Sequence, residues 1–199
     1  MSILEIIQPD NPVLRKKAVR VPESSFKSDS FQSLVDDMIA TMGEANGVGL
    51  AAPQIAESMR LIIVRLPDGT EEDREEYGDN AGKTFVVANP KIIKSSRRMV
   101  AGVEGCLSMP GILGEVDRHD MVVVTGQDRD GNDFRIKAKD WLARVFQHEI
   151  DHLDGTLFID LTDKVWRAGE EPPEGTEAAK EWAEAEAEIS EGEVTPEDV

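Results

Sequence analysis

The sequence predicts an α+β fold, with antiparallel strands packed around one long helix and an acidic extension at the C-terminus. Three observations point there. Apolar residues recur at helical steps in two separated segments, 29–45 and 140–153. Strand-like runs between residues 61 and 139 follow one another through turns, without alternating with helices. From residue 168 onward the composition changes to Glu and Ala.

Asn11-Pro12 reads as a helix start, with Pro12 in the first turn and Val13, Leu14 and Ala18 behind it. The next helix spans 29–45, because Phe31, Leu34, Val35, Met38, Ile39 and Met42 fall on one face; Gly43 and Gly47 then break it. LIIVRL at 61–66 has few polar residues and is expected to be a well-buried strand. Residues 67–83, containing EEDREE, are expected to form an exposed loop. FVVANP at 85–90 is a strand, and 91–103 adds strand and turn. MVVVTGQD and FRIKA flank Arg129-Asp130-Gly131-Asn132, a hairpin signal. The last long helix starts at Asp140 as N-cap, runs to Leu153 and stops at Gly155. No internal repeat is present. The division expected is a body at 1–167 and a partly helical or disordered tail at 168–199.

Composition bounds the function. At 40% hydrophobic and 31% charged residues the chain reads as soluble and globular. No run approaches the roughly 20 apolar residues of a membrane span, so no membrane association is expected. MSILEIIQPDNP lacks the basic and long apolar regions of a signal peptide. The one cysteine rules out an internal disulfide and fits a reducing compartment, so a cytoplasmic location is expected. Of the net charge of −18, residues 168–199 carry −11, from eleven Glu and one Asp against Lys180; this leaves −7 for the body. Neither part has a Lys/Arg surplus, so no direct nucleic-acid binding is expected.

The chemistry is concentrated in three motifs. QHEIDHLDG at 147–155 holds His148, Glu149 and His152 as HExxH. Residues four apart share a helix face, so His148 and His152 can share one metal ion. Glu149 is then placed to handle the proton of a water molecule. Only three histidines exist, and two of them stand here beside a Glu, which favours ligation over two polar surface residues. EGCLS at 104–108 holds the lone Cys106. It can be a small buried hydrophobe, a nucleophile with a His as base, or the third ligand that two histidines need. GVGLAAPQ at 47–54 lacks the lysine of a P-loop and the spacing of a dinucleotide loop. Its glycines allow close backbone approach. Gln54 is a neutral amide able to donate to an oxyanion without competing for a metal.

These three motifs, in this order and at this spacing, resemble those of peptide deformylases over roughly residues 3–165. The resemblance implies a metal-bearing HExxH helix and hydrolytic removal of the formyl group from the N-terminal formylmethionine of nascent polypeptides. It implies Cys106, His148 and His152 as ligands of one divalent metal ion, Fe(II) in the cell, with Zn, Ni or Co able to take its place. It further implies Glu149 as general base and acid, with Gln54 and the backbone N–H of Leu107 as oxyanion donors. Gly49 is expected to pair with the substrate backbone. Val48, Val145 and His148 are candidates for the methionine pocket, and Arg144 and Trp141 lie one and two turns upstream on the helix. Glu104 and Arg118 are expected to form a buried structural pair. The partners implied are N-formylmethionyl peptides and nascent chains at the ribosome.

This chain departs from some family members in two places. In some members a long arginine follows EGCLS within the peptide-binding region; here the segment reads MPGILGEVDR, with Leu113 in that stretch, which suits a glycine-containing variant of the loop. Some members also use a basic C-terminal helix to dock on the ribosome, whereas this tail is acidic. Two other functions compete: a zinc metallopeptidase acting on peptide bonds, and a binding module that keeps the fold without activity. Assay of formylated peptide against internal peptide bonds separates the first; metal content with formate release separates the second.

Overall fold

A computed structural model describes residues 1–77 and 81–192. Side chains are described except at 72, 73, 76 and 186–192. It is a mixed helix and antiparallel-sheet fold. The helices are α1 (Asp29–Glu44), α2 (Glu71–Tyr77), α3 (Asp140–Asp154) and α4 (Glu177–Gly192). The central sheet has the order β1-β2-β3-β8-β9, with β1 Gly49–Ala51, β2 Leu61–Arg65, β3 Thr84–Ser95, β8 Met121–Gln127 and β9 Asp133–Lys139. A second sheet runs β10-β6-β5, with β5 Val103–Cys106, β6 Met109–Glu115 and β10 Val165–Arg167. β4 (Met99–Val100) pairs with β7 (Arg118–His119).

The apolar run of β2 is explained by cover on both faces. Strand side chains alternate, and here Ile62 and Val64 join Val87, Val122 and Val124 under Ala143, Phe146, Ile150 and Leu153 of α3. Leu61 and Ile63 point the other way, into a cluster with Phe31, Val35, Met38 and Met42 of α1. The central sheet is thus held between α1 and α3. A third cluster of Leu14, Met109, Val116, Leu157 and Phe158 fastens the second sheet to the start of the chain.

Three local expectations change and one holds. Pro12 begins only a 3-10 turn, Pro12–Arg15, and Lys16 is already extended. The segment 67–83 is not a plain loop: its acidic run forms α2, and Tyr77 packs against Trp141 with ring centroids 6.4 Å apart. Residues 78–80 of that segment lie outside the described residues. Lys139, without a side-chain cap bond, takes the cap of α3; Asp140 is the first helical residue, at φ 47°. Gly155 does end α3, in the left-handed region at φ 79°.

The chain beyond the body is tied down at its beginning. The Ala168 N–H donates to Gly111 O at 2.9 Å, continuing the pairing of β10 with β6. Thr176 and Ala178 are buried. The Glu115 carboxylate accepts the first free N–H groups of α4, from Glu177 at 2.6 Å and Ala178 at 3.2 Å. Such groups have no partner within a helix and need one from outside. Trp182 is half-buried, while the side chain of Ile189 and all of 193–199 lie outside the described residues.

Candidate active site

α3 carries His148, Glu149 and His152 on its buried side, facing the turn between β5 and β6. β5 delivers Glu104 and Cys106; the turn presents Leu107 and Ser108. β1 lies alongside α3, and the 3-10 turn after it, Ala52–Ile55, delivers Gln54.

Cys106, His148 and His152 offer ligand atoms all within 4.8 Å of one another. Cys106 Sγ lies 3.3 Å from His152 Nε2. Glu104 Oε2 lies 2.9 Å from His148 Nδ1, which leaves Nε2 of that ring for a ligand bond. A carboxylate holding the far nitrogen of a ligating histidine fixes its tautomer and ring angle. Burial, and then the neighbouring His148, hold His152 well below the ordinary imidazole range, so it keeps a lone pair. One thiol and two imidazoles with no competing carboxylate fit a borderline metal ion such as Zn or Fe(II).

Glu104 is the centre of a buried network. It receives Arg118 through two bonds, of 2.8 and 3.0 Å, and Arg144 Nη1 at 2.9 Å. Burial pushes its carboxyl up, but the hydrogen bonds from Arg118 and His148 outweigh that and hold it at about 2. Arg118 also reaches Asp151 at 2.5 Å. Arg144 is no exposed helix residue. It donates to the carbonyls of Val100, Gly102 and Val116 as well, at 2.7, 3.2 and 2.7 Å.

Glu149 is 4% exposed, and its Oε2 has no hydrogen-bond partner. Burial raises its carboxyl to about 7. Gly49 makes room for it: a Cβ there would lie 2.7 Å from Glu149 Cδ. Gln54 is fixed by its own carbonyl, which accepts the Ala51 N–H at 2.8 Å. Its Nε2 is thereby aimed at Cys106 Sγ (3.5 Å) and Ser108 Oγ (3.4 Å).

These groups share a cavity of about 450 Å³, lined by Gly49, Gln54, Cys106, Leu107, His148 and Glu149. Val48, Val145, Trp141 and Arg144 also line it; His152, fully buried beside Cys106, lies behind the wall. The stretch holding Leu113, which the resemblance put in the peptide-binding region, forms the far wall from Gly111 to Leu113; the sequence reading missed Ala168 beside it and the network roles of Asp151 and Arg144. Arg144 had a signal, because it stands four residues before His148 on the same helix face. Ala168 had none, since only the pairing of β10 with β6 brings it there.

A family model described as polypeptide deformylase matches residues 3–167. The chain belongs to the peptide deformylase family. Peptide deformylase 2 of Nostoc sp. is 47% identical over 162 residues, 81% of this chain and 87% of that one. The peptide deformylase of Symbiobacterium thermophilum is 44% identical over 190 residues, 94% of this chain and 81% of that one. Among solved structures, a class I type b peptide deformylase from Acinetobacter baumannii with Met-Ala-Ser bound superposes at TM-score 0.73 and 37% identity. It covers 81% of this chain and 100% of that one. The peptide deformylase of Ehrlichia chaffeensis matches at TM-score 0.72 and 33% identity, over 96% and 97% of the two chains. The protein is therefore a deformylase, a hydrolase acting on the formyl group of N-formylmethionine peptides, and the metallopeptidase reading is not favoured. The family is metal-dependent. No helix among the described residues is long and apolar enough to cross a membrane.

Proposed function

We propose that Cys106, His148 and His152 hold the one divalent metal ion of this deformylase, Fe(II) in the cell, with Zn, Ni or Co able to replace it in the purified protein. The observation that carries the reading is the convergence of these three ligand atoms within 4.8 Å of one another, beside a cavity lined by Cys106, His148, Glu149 and Gln54. When bound, such a cation polarises a carbonyl and lowers the pKa of water from 15.7 towards about 7.

The chain's own residues do the rest. Glu149, buried and short of one partner, takes a proton from the attacking water as its oxygen adds to the formyl carbon. The same carboxyl then gives that proton to the departing amine nitrogen as the C–N bond breaks, releasing formate and a free N-terminus. Gln54 Nε2 and the Leu107 N–H face the charge that develops on the formyl oxygen; losing one such donor costs about 10²–10³ in rate. Gly49 pairs with the peptide backbone, and Val48 and Val145 make the apolar side of the methionine pocket. Residues 1–167 carry the chemistry, and 168–199 form an acidic, partly helical extension. The substrates are nascent chains at the ribosome, in a cytoplasmic, bacterial-type setting.

The decisive assay compares formate release from formyl-Met-Ala-Ser with cleavage of internal peptide bonds in the unformylated peptide. Formate release without bond cleavage is expected. Cleavage without formate would assign the site to a metallopeptidase.

A further inference from the structure

Net charge argues against a polyanionic partner, but the strand register gathers cations that the sequence scatters. On β9, Arg135, Lys137 and Lys139 are exposed, while Phe134, Ile136 and Ala138 between them turn toward α3. On β3, Lys91 pairs with Thr125 and Lys94 with Val123, which in turn pair with Arg135 and Lys137. A bulge between Ile92 and Lys94 puts both lysines on this outer face. The result is two rows of cations, roughly 10 Å apart across β8, stepping about 6.7 Å along β9. The floor between them is neutral: Met121, Val123 and Thr125.

Among the described residues none of these five makes an ion pair. Arg98 nearby is partly neutralised by Asp120 at 3.6 Å, and Asp133 stands at the far end of the β9 row. α1 covers the same face of the sheet only around Val86 and Ala88, leaving the 91–95 and 135–139 end bare. Five unpaired cations on one face of a chain of net charge −18 is a segregation that solubility does not require.

We propose that this face binds the phosphate backbone of an RNA duplex. Three features select that occupant. The rows meet a polyanion with many evenly spaced charges, not a single acidic side chain. The face carries no aromatic ring for stacking unpaired bases, so a duplex with outward phosphates fits better than a single strand. The inference also rests on the proposed function, because the end of a newly made chain is found beside the RNA-rich particle that makes it. α3 covers the opposite face of the sheet, and the cavity lies on the α3 side, so RNA and peptide occupy different sides. The acidic remainder of the molecule is repelled by RNA, which leaves this face as the one that can approach.

The test is anisotropy of a labelled RNA duplex of mixed sequence, titrated with the full-length protein. If about four phosphates are neutralised at about −0.9 each, affinity falls on the order of 100-fold between about 50 and about 200 mM salt. Combining Lys91→Glu, Lys94→Glu, Arg135→Glu and Lys137→Glu should weaken binding at least tenfold. The same four positions changed to Gln should weaken it less. Both variants should release formate from a short formyl-methionyl peptide as the parent does, which shows that they fold. No binding at low salt, or unchanged binding by the charge-reversed variant, overturns the proposal. So does equal binding of polyglutamate or of phosphatidylserine vesicles, which would give the face to another anion. Binding of RNA by a protein that releases no formate would sink the proposed function and leave this inference standing.

Discussion

Glu149 has a carboxyl raised by burial to about 7 and one oxygen without a partner, which suits a group that must both accept and return a proton near neutrality. A cation beside it favours the charged form, so the acidic limb of the activity profile should lie at or below about 7, with activity rising as Glu149 ionises. A profile that falls across that range would contradict the assignment. Glu149→Gln should lower formate release by about 10²–10⁴-fold while metal content stays at parent level. Gly49→Ala tests the same group from outside, because the new Cβ would displace the Glu149 side chain. It should lower kcat with metal retained; unchanged activity would show that the position of Glu149 is not critical. Cys106→Ala should lose metal affinity, and full metal content in that variant would remove Cys106 from the ligand set. With Fe(II) as the metal, activity should fall in air and survive Ni or Co substitution. Air-stable full activity with Zn would sink the iron assignment alone.

Two elements are held by single residues. Gly155 closes α3 at φ 79°, where a side chain costs about 1–2 kcal/mol, and a Cβ would lie 2.8 Å from the Arg15 carbonyl carbon. Gly155→Ala should therefore lower stability by at least that amount in denaturant melts. α4 is held by Glu115, which accepts Lys164 Nζ at 2.8 Å and the N–H groups of Glu177 and Ala178. Burial pushes the Glu115 carboxyl up, but these bonds outweigh it and hold it below the ordinary carboxylate value. A lowered folded-state pKa means stability that is present above the unfolded value and lost as pH falls through the folded one. Melting temperature should drop between about pH 5 and the folded pKa of Glu115, and Glu115→Gln should remove that part of the drop. An identical pH profile in the variant would show that α4 is held by something else.

At the scale of the whole molecule, charge and function divide along the chain. A truncation ending at Gly169 keeps β10 and Ala168 at the cavity wall, so formate release from short formyl-methionyl peptides should stay within a few-fold of the parent. It also strips Glu115 of two of its donors and uncovers the site of Thr176 and Ala178, so the melting temperature should fall. A folded, metal-loaded truncation without activity would show that the extension shapes the site. The central sheet, by contrast, has one face given to α3 and the cavity, and the other shared between α1 and the bare cationic rows.

The HExxH spacing, the lone cysteine and Gln54 were legible in the sequence because each has a chemistry that few residues share. Helical periodicity set α1 and α3 because both bury one face against a sheet. LIIVRL announced a buried strand for the same reason, since both its faces are covered. What the sequence could not hold was pairing between distant segments. The α2 helix within 67–83 has no apolar stripe and shows itself through Tyr77 against Trp141. Arg144 became a structural residue only when β4, β5 and the chain after β6 brought four acceptors round it. Glu115 became a helix cap, and Ala168 a cavity wall, only because β10 returns to β6. Lys91 and Lys94 came to share a face with Arg135 and Lys137 only through the register of three strands. Local chemistry and periodicity are properties of neighbouring residues; these arrangements depend on contacts across tens of residues, which tertiary packing alone decided.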